Sequence, residues 1–229
     1  MARCGRSGAA RGGVAAAASG DGSFAAEGGL FVTFEGIDRA GKTTQARLLT
    51  DALGEGAVAV REPGGTAIGE RVRELVKDPA VEVGPEAEAL LFAAARADLV
   101  ARVIRPALDR GQVVVSDRYL DSSLAYQGAA RGLGVEEVAR LNRFATRGLV
   151  PDLTFLLVLD PRAAAARGGQ ADRFEDEGHA LQDAVLAGYE RLAAEDPARW
   201  RRLDAERPVY ELRGKILAAV ETARAGAPA

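Results

Sequence analysis

Lys42 and Thr43 close a G-x-x-x-x-G-K-T string, Gly36-Ile37-Asp38-Arg39-Ala40-Gly41-Lys42-Thr43, which directly follows the apolar run Leu30-Phe31-Val32-Thr33-Phe34. A strand running into such a loop, with a helix-forming stretch behind it, makes a cradle for phosphate. Gly36 and Gly41 let the backbone curl without Cβ clashes. The following helix aims its orphan N–H groups and positive dipole end at the anion. In that arrangement residues Gly36 to Thr44 surround the phosphates of ATP, Lys42 reaches the β- and γ-phosphates, and the Thr43 hydroxyl holds Mg2+.

A second string, Val113-Val114-Val115-Ser116-Asp117-Arg118, sets a carboxylate at the end of an all-β-branched run. Beside the first strand, Asp117 would stand near Thr43, where Mg2+ needs oxygen ligands. Arg118 offers a planar fork for a phosphate. The other reading is an Asp–Arg pair capping the next helix. Arg61-Glu62-Pro63-Gly64-Gly65-Thr66 reads either as a tight turn with Thr66 as N-cap or as substrate lining beside the phosphate loop. Phe92 and Arg96 lie four apart on one helix face, and an aromatic at that spacing reads as core. The segment from Arg167 to Arg173 is either a solvated loop or one that closes over phosphates.

The elements that must hold these groups alternate. Strands are predicted at residues 30–34, 57–60, 113–115 and 153–159, with an edge strand at 200–203. Helices are predicted at 42–53, 67–77, 85–104, 119–126, 135–147, 180–194 and 209–222, with Pro106 kinking or ending the third. This alternation implies βαβ units and a parallel sheet covered on both faces. Ligands then sit outside the carboxyl ends of the strands, where each polar cluster above falls.

Composition removes other chemistries. The chain has 229 residues, a formal charge of −3, one cysteine (Cys4) and one histidine (His179). An internal disulfide, a Cys metal cage and a multi-His metal site are excluded. What is left suits phosphoryl transfer, which needs positioning and positive charge more than a base. Lysine occurs only at 42, 77 and 215, which adds weight to Lys42, whereas abundant arginine lowers the weight of any single Arg. The densest apolar run, 153–159, is too short to cross a bilayer. The expectation is one domain at 29–222, a disordered extension at 1–28 and a flexible tail at 223–229. The protein is expected to be cytoplasmic, without nucleic-acid or membrane partners.

Several segments stand together in one order: Phe34-Glu35-Gly36-Ile37-Asp38 with Gly41-Lys42-Thr43-Thr44, then Arg61 to Thr66, then Leu90-Leu91-Phe92-Ala93-Ala94-Ala95-Arg96. Asp117-Arg118-Tyr119 with Ser122-Ser123-Leu124-Ala125-Tyr126-Gln127-Gly128 follows, and then Asp172-Arg173-Phe174-Glu175. This set resembles the thymidylate kinase family of P-loop nucleoside-monophosphate kinases. The resemblance implies an α/β, P-loop NTPase-type three-layer fold, with a parallel five-stranded sheet, helices on both faces and a short lid at about residues 161–178. It implies the reaction ATP + dTMP → ADP + dTDP, with Mg2+, and a homodimer. Arg96 and Arg118 would grip the acceptor phosphate, Phe92 would stack on thymine, and Tyr126 would press on the deoxyribose. Ser122, Ser123 and Gln127 would lie near the base, with Glu62 and Pro63 in the same substrate site. Asp38 would contact the 3′-hydroxyl or a metal-bound water. Family members carry an arginine in the phosphate loop or rely on lid arginines. This chain has Arg39 in the loop and Arg167 and Arg173 in the lid, so the source of the transition-state charge stays open.

Overall fold

The computed structural model describes residues 29–168 and 178–226. The expectations for 1–28, for the end of the tail and for Arg173 fall outside the described residues. Within them, five parallel strands carry the fold: β1 (Leu30–Glu35), β2 (Ala57–Arg61), β3 (Val113–Asp117), β4 (Leu153–Val158) and β5 (Trp200–Asp204). Their order across the sheet is β2-β3-β1-β4-β5. The helices are α1 (Lys42–Leu53), α2 (Ala67–Lys77), α3 (Pro85–Leu99), α4 (Arg105–Asp109), α5 (Leu120–Ser123), α6 (Val135–Thr146), α7 (Pro161–Ala166), α8 (His179–Glu195) and α9 (Val209–Arg224).

The central strands are apolar on both faces because helices cover both. Val32 and Phe34 of β1, with Val113 and Val115 of β3, pack into one core with Leu49 of α1 and Ile216 of α9. Phe31 and Val114 point the other way, into a core with Leu99, Ile104 and Leu108. Side chains that alternate on a strand therefore feed two separate layers. Phe34 stacks on Phe155 with ring centroids 5.2 Å apart, which ties β1 to β4 within the first core.

Register brings the chemistry level. Phe34 pairs with Asp117, and Asp117 pairs in turn with Arg61. The carboxyl ends of β1, β2 and β3 thus finish side by side. The order reverses around β1, and the crevice outside such a switch point is where open α/β sheets bind ligands.

Two helix expectations need correction. The predicted helix 85–104 is not ended by Pro106: a π-helical stretch, Val100–Ile104, intervenes, and α4 runs on through the proline. The wider π turn bonds the Arg105 N–H to the Val100 carbonyl and so adjusts the ladder just ahead of the residue that lacks an N–H. The helix predicted at 119–126 is a short α5 followed by a second π stretch, Leu124–Ala130. The stretch expected to begin the lid is helical over Pro161–Ala166. Asp160 caps it by accepting from the Arg162 and Ala163 N–H groups at 2.8 and 3.3 Å, with Pro161 in the first turn.

Candidate active site

The phosphate loop is shaped by residues that accept left-handed backbone. Gly36, Arg39 and Gly41 have φ of 139°, 61° and 97°. A Cβ on Gly36 would lie 2.5 Å from the Leu157 carbonyl oxygen, so only glycine passes there. Lys42, the first residue of α1, is buried and donates from Nζ to the Ile37 carbonyl at 2.6 Å, folding back over the loop. The Thr43 hydroxyl donates to Asp117 Oδ2 at 2.5 Å, across the β1–β3 register. Burial pushes the Lys42 ammonium down to about 8, with Arg118 acting the same way and Asp38, Asp117 and Glu35 opposing.

Arg118 leaves β3 with φ 71°, a costly backbone for a bulky residue. Its own contacts hold it there. The backbone N–H bonds to the Phe34 carbonyl at 3.0 Å. One guanidinium nitrogen donates to the Gly36 carbonyl at 3.0 Å and to the Ser122 and Tyr189 hydroxyls at 3.2 Å each. The other pairs with Asp38 Oδ1 at 2.5 Å and reaches the Tyr126 hydroxyl at 3.4 Å. Burial would raise the Asp38 carboxyl, but Arg118, then Lys42 and the Tyr126 hydroxyl, overcome it and hold the group at about 2.

Beneath Arg118 sits Glu35, fully buried at the end of β1. It accepts from the Tyr119 N–H at 2.8 Å, the Ser122 hydroxyl at 2.6 Å and the Tyr189 hydroxyl at 2.9 Å. Burial and the nearby Asp121 raise its carboxyl to about 7, against the bonds from Ser122 and Tyr189 and the charge of Arg118. The two hydroxyls that Glu35 orients are those that receive Arg118. Sequence reasoning placed Glu35 in a motif without giving it a role, and did not single out Tyr189. A charged residue between a buried strand and a glycine was the one local signal.

A cavity of about 440 Å³ opens over these groups. Asp38, Arg39, Lys42, Thr43, Asp117 and Arg118 line it. Glu62, Pro63, Phe92, Ser122, Ser123, Tyr126 and Gln127 also line it, as do Arg61, Arg73, Val76 and Lys77 of β2 and α2. Ser122 and Ser123 stand four residues before Tyr126 and Gln127, one helical turn that keeps all four on the cavity side. Thr66 does cap α2, accepting from the Gly69 N–H at 3.0 Å. The 61–66 segment is thus both a capped turn and cavity wall.

Arg96, for which the resemblance implied a phosphate grip, is not among the residues lining this cavity. It is 1% exposed. Its Nε donates to Glu62 at 2.7 Å, and its terminal nitrogens donate to Ser123 at 3.1 Å, to Asn142 and to the Tyr119 carbonyl at 3.1 Å. A guanidinium spent in this way braces Glu62 and Ser123 from behind. Arg167 also has backbone partners, the carbonyls of Arg39 at 3.0 Å and Ala205 at 2.6 Å.

Among the described residues, no three His, Cys, Asp or Glu side chains converge as a metal cage. The hydroxyl of Thr43 and the carboxylate of Asp117 do converge. That fits Mg2+, which takes one or two protein oxygens and completes its shell with water and substrate phosphates.

The thymidylate kinase family model matches residues 34–216. The thymidylate kinase of Deinococcus radiodurans is 50% identical over 198 residues, spanning 84% of this chain and 96% of that protein. The thymidylate kinase of Leifsonia xyli subsp. xyli is 52% identical over 195 residues, 82% of this chain and 92% of the relative. The thymidylate kinase of Caldanaerobacter subterraneus subsp. tengcongensis is 44% identical over 204 residues, 87% and 98% of the two chains.

Proposed function

The chain belongs to the thymidylate kinase family, and from that membership we propose how its residues share the phosphorylation of dTMP to dTDP by ATP, a step toward dTTP. The observation that carries the reading is the shared cavity in which the phosphate loop faces Arg118, Phe92 and Gln127. A donor phosphate and an acceptor nucleotide can meet there.

The acceptor phosphate is already an anion near neutral pH, so the reaction needs no general base. The barrier lies in bringing two anions together and spreading charge on the transferring group. The loop N–H groups and Lys42 hold the β- and γ-phosphates. Thr43 and Asp117 would hold Mg2+, which would supply charge neutralisation on the donor phosphates. Arg118 exchanges Asp38 for the acceptor phosphate, and Asp38 turns to the sugar 3′-hydroxyl. Phe92 stacks on the base, Tyr126 closes on the deoxyribose, and Ser122, Ser123 and Gln127 surround the base edge. Arg96 acts as a positioning residue behind Glu62 and Ser123. The test is ADP release with Mg·ATP and, separately, dTMP, dUMP, dCMP, UMP and thymidine. Turnover is expected with dTMP, less with dUMP and none with thymidine. Turnover on thymidine, or hydrolysis indifferent to the acceptor, would overturn the acceptor-site reading.

The protein is further read as a cytoplasmic homodimer. No helix among the described residues is long and apolar enough to cross a membrane. Phe144 of α6 is 87% exposed, and Leu90 of α3 and Ile68 of α2 are 57% and 48% exposed. Exposed large apolar residues mark an association surface, and these three sit on helices that pack together, α3 against both α2 and α6. Phe144→Glu is expected to halve the mass measured by light scattering at micromolar concentration. An unchanged dimer, or a monomeric parent protein, would reject this interface.

A further inference from the structure

Glu88, which has no role above, forms a buried pair with the base-edge residue Gln127. Glu88, in the first turn of α3, is fully buried, and Gln127 is 2% exposed yet lines the cavity. Gln127 Nε2 donates to Glu88 Oε1 at 2.8 Å. Arg131 clamps the same carboxylate, with Nε on Oε1 and a terminal nitrogen on Oε2, each at 3.2 Å. The π turn helps to place Arg131, because its backbone N–H reaches back to the Tyr126 carbonyl at 2.8 Å. A carboxylate paired with a guanidinium has no proton to donate, so the amide nitrogen must face it. The amide carbonyl Oε1 is then the atom left for the cavity.

We propose that Glu88, acting through Gln127, is a specificity-determining positioning residue that biases the acceptor site toward bases with a ring N–H and against cytosine. The inference rests on the acceptor-site reading above. Thymine and uracil carry N3–H, a donor that a fixed carbonyl accepts. Cytosine carries a lone pair at N3. To meet cytosine in the same pose, Gln127 would have to turn its amide over. That would press Oε1 against the Glu88 carboxylate, two acceptors face to face with no proton between them. Leaving buried acceptors unpaired is costly, and sites built around such groups reject the mismatched partner strongly. The device cannot tell thymine from uracil, whose imide groups are the same.

The test compares kcat/KM for dTMP, dUMP and dCMP in the wild type and in Glu88→Gln, with melting temperature and KM for ATP as controls. The amide introduced by that substitution can donate or accept, so Gln127 is free to turn. The ratio of dCMP to dTMP efficiency is expected to rise about tenfold or more, while the dUMP to dTMP ratio and the KM for ATP stay put. Glu88→Met, with neither donor nor strong acceptor, is expected to move the dCMP ratio the same way and serves if the first variant is unstable. A proportional loss on all three acceptors in a folded variant would overturn the inference and leave Glu88 a packing residue. A wild type that does not prefer dTMP over dCMP would instead overturn the acceptor-site reading itself.

Discussion

Lys42→Ala is expected to lower kcat by a factor on the order of 10³, since one preorganised donor at a developing anion is worth about 10²–10³ and this one carries a full charge in a buried site. The variant should stay folded. The Lys42 amine is desolvated and bonds to the Ile37 carbonyl, and the carboxylates that act on it keep other donors: Asp38 keeps Arg118, Asp117 keeps the Thr43 hydroxyl, and Glu35 keeps Tyr119, Ser122 and Tyr189. A melting temperature within about 4 °C of wild type corresponds to roughly 1 kcal/mol in a domain of this size. Near-normal turnover in the folded variant would sink the mechanism.

The same residue sets a pH dependence with a definite sign. Its folded value is about 8, against 10.5 for the free side chain, because burial disfavours the charged form. Below about pH 8 the amine is protonated in both folded and unfolded states, and the burial cost is fully present. Between about 8 and 10.5 the unfolded chain holds more protons, so the Lys42 contribution to stability rises with pH. ATP acts oppositely. Its phosphates favour the ammonium, so binding above about pH 8 takes up a proton and affinity falls as the amine deprotonates. Titration calorimetry should show this decline in wild type, and a flatter profile in Lys42→Ala.

What the sequence carried was whatever depends on near neighbours. The loop from Gly36 to Thr43 specifies its curl and its charge locally, and the all-β-branched Val113–Val115 run reads as a strand covered on both faces. Thr43 and Asp117 were legible as a pair because two strand ends in a parallel sheet fall beside each other. The π stretches were not legible, because the hydrophobic spacing over Val100–Ile104 does not separate a π turn from an α turn. The bracing of the site was hidden for another reason. Arg96 meets Asn142 at a separation of 46 residues, and Tyr189 meets Glu35 at 154. Such contacts are fixed by packing, so the motif named Arg96 but could not name the Glu62, Ser123, Asn142 and Tyr119 groups that hold it. Gln127 could be assigned to the base but not oriented, since Glu88 lies on another helix.

Of the three arginines named for charge on the transferring phosphoryl group, Arg173 lies outside the described residues, and the other two, Arg39 and Arg167, stand in different places. Arg39 lies inside the phosphate loop and lines the cavity beside Lys42 and Thr43. Its left-handed backbone, φ 61°, is shared with the glycines that shape the loop. Arg167 stands at the end of α7 with its guanidinium on the carbonyls of Arg39 and Ala205, so it supports the loop from outside. Arg39→Ala is therefore expected to lower kcat by about 10³ or more, the range for an arginine that stabilises phosphoryl-transfer charge, with KM for dTMP little changed. Arg167→Ala should cost about tenfold or less, because one backbone-directed side chain is worth roughly 1–1.5 kcal/mol and acts only through loop position. Arg39→Lys sharpens the contrast. A lysine keeps the charge but loses the planar fork, so partial recovery would separate simple electrostatics from bidentate contact with the equatorial oxygens. Single-turnover measurements isolate the chemical step. A large loss in Arg167→Ala beside a mild one in Arg39→Ala would reverse the assignment and place the essential charge after β4 rather than after β1.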